Sequence, residues 1–156
     1  MSGAGFGVTA HDNRLDGPWP HQMTGEKAKP IAGPVTDNPL LMAPAGSIHA
    51  PIESWARFVG DELAGLEGHG RLLAPQSYQA LFTPSFGGDY AHGWQRVYRS
   101  HLGGYAFMHA GSNTLNFSLV WLLPKRRIAV LVATNAGSGN TFEACDAVVA
   151  RLMAGR

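Results

Sequence analysis

Three things are scarce in this sequence, and each shortage removes a class of explanation. There is one cysteine, Cys145, among 156 residues. It can form no internal disulfide and has no companion thiolate with which to build a zinc site. Nowhere do about 18 apolar residues run together, and the N-terminus has no basic start followed by an apolar stretch, so neither a membrane span nor a signal peptide is expected. Charge is scarce too: charged residues are 15% of the chain and the formal net charge is +1. That balance provides no surface for nucleic acid and none for an acidic partner. The one basic cluster, Lys125-Arg126-Arg127, lies between two apolar runs and reads as a solvated hairpin turn.

What remains is the composition of a soluble globular chain, 45% hydrophobic, with the length of about one domain on a prior of ~150 residues per domain. Six of the ten prolines fall in residues 1–44, in stretches such as "DGPWP", "KAKP" and "AGPVTDNP". This segment predicts an irregular Pro/Gly-rich loop, distinct from a folded α/β portion over 45–156. A structureless segment of that length is uncommon in a self-sufficient domain, which suggests that it lies against something outside the chain.

From Pro51 the pattern becomes helical. Ile52, Trp55, Ala56, Val59 and Leu63 follow the spacing of one buried face, predicting a helix over 51–64. A shorter helix is predicted over 75–82, with Tyr78, Leu81 and Phe82 inward and Thr83-Pro84 as its stop. Four strands follow: "GWQRVY" (93–98), "GYAFMHAG" (104–111), "NFSLVWLL" (116–123) and "RIAVLVATN" (127–135). The last is apolar on both faces and reads as the interior of a larger sheet. "TFEACDAVVARLM" then places Phe142, Cys145, Val148, Val149 and Leu152 on one helical stripe. The class is α+β: an antiparallel sheet of three to four strands with the C-terminal helix on one face.

Seven histidines (11, 21, 49, 69, 92, 101 and 109) show no metal-ligand spacing, so no metal is expected. "TNAGSGNTF" joins a strand to a helix and could cradle a phosphate. The third glycine of a dinucleotide fingerprint is missing, however, with Phe142 in its place, and no strand follows to close a βαβ unit. No serine has a lysine three residues later. Ser54 comes nearest, with Arg57, but a guanidinium stays protonated and cannot serve as base. "SGN", Ser138 to Asn140, is a tripeptide of low specificity.

Taken in order, "MAPAGSIHAPIESWARFV", "RLLAPQSYQALFTP", "YAHGW", "FMHAGSNT" and "RIAVLVATN" resemble the C-terminal half of a serine β-lactamase-like hydrolase. That family spans class C β-lactamases, penicillin-binding D-alanyl carboxypeptidases, D-aminopeptidases and esterases. The resemblance covers most of residues 40–156 and, more weakly, the opening "MSGAGFG". It implies a partial β-lactamase/transpeptidase-like fold whose sheet is completed by strands outside this chain. The family uses S-x-x-K, then Y-x-N or S-x-N, then K-T-G on a sheet strand. By resemblance, His109-Ala110-Gly111 takes the third position with histidine for lysine, a form similar to the H-x-G of D-aminopeptidases and esterase-like members. Ser138-Gly139-Asn140 follows that motif, so order excludes it as the second.

The resemblance makes His109 and Ser112 the expected catalytic groups, and His109, Ala110, Gly111, Ser112 and Asn113 the expected substrate-binding wall. His109 would donate a hydrogen bond to a substrate carboxylate or carbonyl, or to the missing tyrosine. Gly111 would leave room for an acyl group. The Ser112 backbone N–H would be the second oxyanion-hole donor, the first coming from a nucleophile that this sequence does not contain. The expected partners are a small-molecule acyl substrate and a missing N-terminal half or partner chain, with no nucleic acid, membrane or cofactor. The expected reaction is acyl-enzyme hydrolysis of an amide, ester or β-lactam, with this chain silent by itself. A non-catalytic ligand- or partner-binding remnant is the alternative. Localisation is left open.

Overall fold

A computed structural model describes residues 2–12, 14, 17–25, 27–137 and 139–154, apart from the side chain of His101. The chain divides into two compact units. The first holds residues 52–109 and 120–131, the second 2–51, 110–119 and 132–156.

In the second unit the proline-rich opening contains more regular structure than its composition predicts. Strand β1 (Gly5–Phe6) is followed by an antiparallel hairpin of β2 (His21–Thr24) and β3 (Lys27–Pro30). Pro30 ends β3 opposite His21, a strand end where its missing N–H costs no interior ladder bond. Two 3₁₀ turns, Pro34–Thr36 and Leu40–Met42, lead into the single-turn helix α1 (Ala43–Gly46). Strand β4 (Ile48–His49) then pairs back on β1. The sequence hid the hairpin because β3, "KAKP", is exposed at every position and so carries no alternation of apolar and polar residues.

The first unit opens with helix α2 (Ile52–Leu66) and continues with α3 (Pro75–Leu81). Proline at the first turn of α3 suits both its fixed φ and its missing donor. Strands β5 (Gln95–Arg99), β6 (Gly104–Ser112), β7 (Phe117–Leu123) and β8 (Ile128–Thr134) form a four-stranded sheet in that order. Consecutive neighbours joined by short turns must run antiparallel. Val59 and Phe82 pack with Trp94, Phe107, Val120 and Leu122 in one buried cluster, flanked by Trp55, Leu63 and Leu66. Phe82 meets Trp94 and Phe107 ring to ring at 5.3 and 4.9 Å, so the aromatic contacts fasten α3 to the sheet.

Two expected faces are rotated. On α2, Ile52 and Ala56 are exposed while Ser54, Val59, Glu62 and Gly65 are buried. On the C-terminal helix α4 (Thr141–Ala154), Cys145, Val149 and Met153 are buried, whereas Phe142, Val148 and Leu152 lie at 37%, 46% and 52% exposure. Phe142 still meets Phe117 of β7 edge-on. The strand covered on both faces is β7, with every residue from Leu119 to Leu123 buried. The doubly apolar β8 lies instead at the sheet's edge.

The loop from α2 to α3 is tied down by side chains. Asp61 accepts hydrogen bonds from the backbone N–H of Arg71 at 2.8 Å and of Leu72 at 3.3 Å, and a short one from the Tyr78 hydroxyl. The Tyr78 oxygen in turn accepts the N–H groups of Leu72 and Leu73 at 3.0 and 3.2 Å. Gly65 and Gly70 flank the tyrosine so closely that a Cβ on either would lie within 2.3 Å of its ring. The hydrogen bond from Tyr78, with those from the two amides, holds the Asp61 carboxyl below its ordinary range. Its neighbour Glu62 is pushed the other way by burial, and its Oε2 has no hydrogen-bond partner among the described residues.

Candidate active site

The candidate wall begins where the pairing of β6 with β5 stops. β5 and β6 pair residue for residue from Arg99↔Gly104 to Gln95↔Met108. β6 then runs four residues further, through His109, Ala110, Gly111 and Ser112. On the β5 side, among the described residues, no strand lies opposite these four. The buried part of β6, Ala106 and Phe107, anchors the strand in the core, while His109 and Ser112 are exposed.

His109 ends the first unit's share of β6. Its Nδ1 makes a short hydrogen bond to the carbonyl oxygen of Gly93, and its ring meets Trp94 edge-on at 6.4 Å. Gly93 presents that oxygen because the backbone turns there, with φ at 94° and its N–H bonded to the Ala91 carbonyl at 2.7 Å. A side chain at that φ is strained, so glycine suits the position. The sequence motif "YAHGW" therefore contributes a backbone acceptor, a role invisible in the side chains it spells.

In the second unit, Gly111 has open surroundings. A Cβ built on it would find only Ser118 Oγ, at 3.8 Å, and its φ lies outside the left-handed region. Among the described residues, neither packing nor backbone conformation demands glycine here. Ser112 is different: its hydroxyl lies 3.1 Å from the carbonyl oxygens of both Asn116 and Gly137, and it accepts the Thr114 N–H at 2.9 Å. A hydroxyl has one proton to give, so it donates to one of the two carbonyls at a time, and each of these contacts belongs to the turn after β6 or to the Gly137 backbone. Asn113 is engaged as well, its Oδ1 accepting from Leu115 and Asn116 and its Nδ2 donating to the Thr36 carbonyl at 3.1 Å. Its side chain shapes the turn.

The other motifs resolve in structural directions. A Cβ on Gly137 would lie 2.5 Å from the Asn116 carbonyl oxygen and 2.8 Å from the Thr114 carbonyl carbon, so that glycine serves a close approach of two backbones. Ser138 lies outside the described residues. Among the described residues no group of three or more His, Cys, Asp or Glu side chains converges on a metal-sized space. No helix of the described residues is long and apolar enough to cross a membrane. Cys145 is buried in α4, and burial raises its thiol above the ordinary value.

The chain combines an antiparallel four-stranded sheet, a strand β6 that carries His109-Ala110-Gly111 near its end, and a C-terminal helix, an α+β arrangement consistent with a partial β-lactamase-like fold. The family model described as Beta-lactamase matches residues 5–154, and the chain belongs to that family. A search of the curated proteins finds no match.

Proposed function

We propose that this chain is the C-terminal part of a serine β-lactamase-like hydrolase and supplies the H-x-G wall and one oxyanion donor, while the nucleophile comes from elsewhere. The observation that carries the reading is Gly111: it lies on the stretch of β6 that has no partner on the β5 side, and among the described residues neither packing nor backbone conformation requires glycine there. A missing side chain that the fold does not need is space kept for something else. In this reading an acyl group lies along residues 109–112. A serine from outside the sequence attacks its carbonyl carbon and the Ser112 N–H receives the developing oxyanion; as the oxyanion collapses to an acyl-serine ester, the C–N or C–O bond breaks and the amine or alcohol, or the opened β-lactam nitrogen, carries off the proton that the serine gave up. Loss of one such donor typically costs about 2.7 to 4 kcal/mol of transition-state stabilisation. Water then releases the acyl group. An amide, an ester and a β-lactam all meet these requirements.

The isolated chain should be silent, because none of its serines has a lysine three residues on. Incubation with a fluorophosphonate probe tests this. No covalent adduct is expected by intact mass, and stoichiometric labelling of one serine would overturn the proposal.

One feature favours a second reading, a non-catalytic remnant that binds a partner chain. Strand β8, "IAVLVAT", has no charge and no proline, and lies at the sheet's edge. Such edges invite pairing with another strand. Sedimentation at increasing concentration should show association, and a monomer throughout would remove this reading.

A further inference from the structure

The hydrogen bond between His109 and Gly93 decides what kind of group the wall can recognise. A carbonyl oxygen has lone pairs and no proton, so in the contact between Nδ1 and the Gly93 oxygen the proton must sit on Nδ1. A neutral imidazole carries one N–H. With that N–H committed to Gly93, the other nitrogen, Nε2, holds a lone pair. We infer that the neutral His109 ring presents Nε2 as a hydrogen-bond acceptor, and that the wall selects acyl substrates bearing an N–H or O–H donor opposite it, not a carboxylate.

This inference rests on the proposed acyl-hydrolase reading and narrows its substrate. It also changes the role expected of His109. Only the doubly protonated ring can donate to a carboxylate while keeping Gly93; the neutral ring repels one lone pair with another. An amide, a hydroxyl or an amine of the substrate satisfies Nε2 directly, as would the hydroxyl of a catalytic side chain. Gly93 acts here as a positioning residue. Its left-handed φ aims the carbonyl, and Trp94, buried in the core cluster, fixes the edge of the ring.

Nitrogen-15 NMR of the whole chain at pH 8 reads the tautomer. Two-bond correlations from the His109 ring protons should show a protonated Nδ1 and an unprotonated Nε2. The opposite tautomer, or a doubly protonated ring, overturns the inference. In the same sample, saturation transfer with the matched pair benzamide and benzoate tests the selection. Stronger transfer between benzamide and the ring protons of His109 is expected. Equal transfer from the two, including none from either, overturns the substrate class. These outcomes are independent of fluorophosphonate labelling, so failure of the tautomer leaves the acyl-hydrolase reading standing and failure of that reading shows in the labelling.

Discussion

Gly111 and Gly137 are 26 residues apart in sequence and have opposite reasons to be glycine. At Gly137 an added Cβ would lie 2.5 Å from a backbone oxygen and 2.9 Å from a backbone nitrogen of Asn116. Backbone in a tight turn cannot swing aside as a long side chain can, so Gly137→Ala forces a shift of the 114–116 turn. Overpacking of that kind costs about 1–3 kcal/mol. At Gly111 the nearest atom is at 3.8 Å, an ordinary contact. Alanine there narrows the unfolded ensemble and should leave stability unchanged or raise it by roughly 0.4–1 kcal/mol. For a chain of this size each kcal/mol moves the melting temperature by about 2–4 °C. Thermal and urea unfolding followed by tryptophan fluorescence should therefore place Gly137→Ala several degrees below the parent and Gly111→Ala level with it or above. A Gly111→Ala variant as unstable as Gly137→Ala would refute the argument, because Gly111 would then be explained by packing.

The two neighbouring carboxyls on α2 should respond to pH with opposite signs. Asp61 is held below its ordinary value, so its contribution is present above the unfolded value, near 3.9, and is lost as pH falls through the folded one. Asp61→Asn should be less stable than the parent at neutral pH, and the gap should shrink in acid; a constant gap from pH 7 to 3 in urea titrations would count against the clamp. Glu62 is raised by burial, so ionising it costs stability as pH rises above its unfolded value, near 4.3. Glu62→Gln should stabilise the protein at neutral pH and lose that advantage below about pH 4; destabilisation at pH 7 would mean that the buried carboxylate has a partner.

The elements that periodicity could see were legible. The predicted helices over 51–64 and 75–82 correspond to Ile52–Leu66 and Pro75–Leu81, and the four strands appear in order with ends shifted by one or two residues. Which face of α2 and α4 turns inward was less legible, because both helices carry more apolar residues than one stripe holds. Burial of Ser54 and Glu62 beside exposed Ile52 is a tertiary outcome. The hairpin of β2 and β3 was hidden by its wholly exposed second strand. At the candidate site, the sequence pointed to the H-x-G strand but not to Gly93 or Thr36. Their contributions are backbone carbonyls, and a carbonyl leaves no trace in residue type.

The clamp between Asp61 and Tyr78 gives an irregular loop the kinetic character of regular structure. Arg71, Leu72 and Leu73 lie outside every helix and strand, yet each backbone N–H is bonded to a side-chain oxygen. Solvent can take the Leu73 proton, and free Leu72 of its bond to the hydroxyl, only after the tyrosine leaves its seat between Gly65 and Gly70, and that departure opens the packing of α2 on α3. In hydrogen exchange these loop amides would therefore group with the helices they join, so that the slow-exchanging core of the first unit passes without interruption from α2 through the loop into α3.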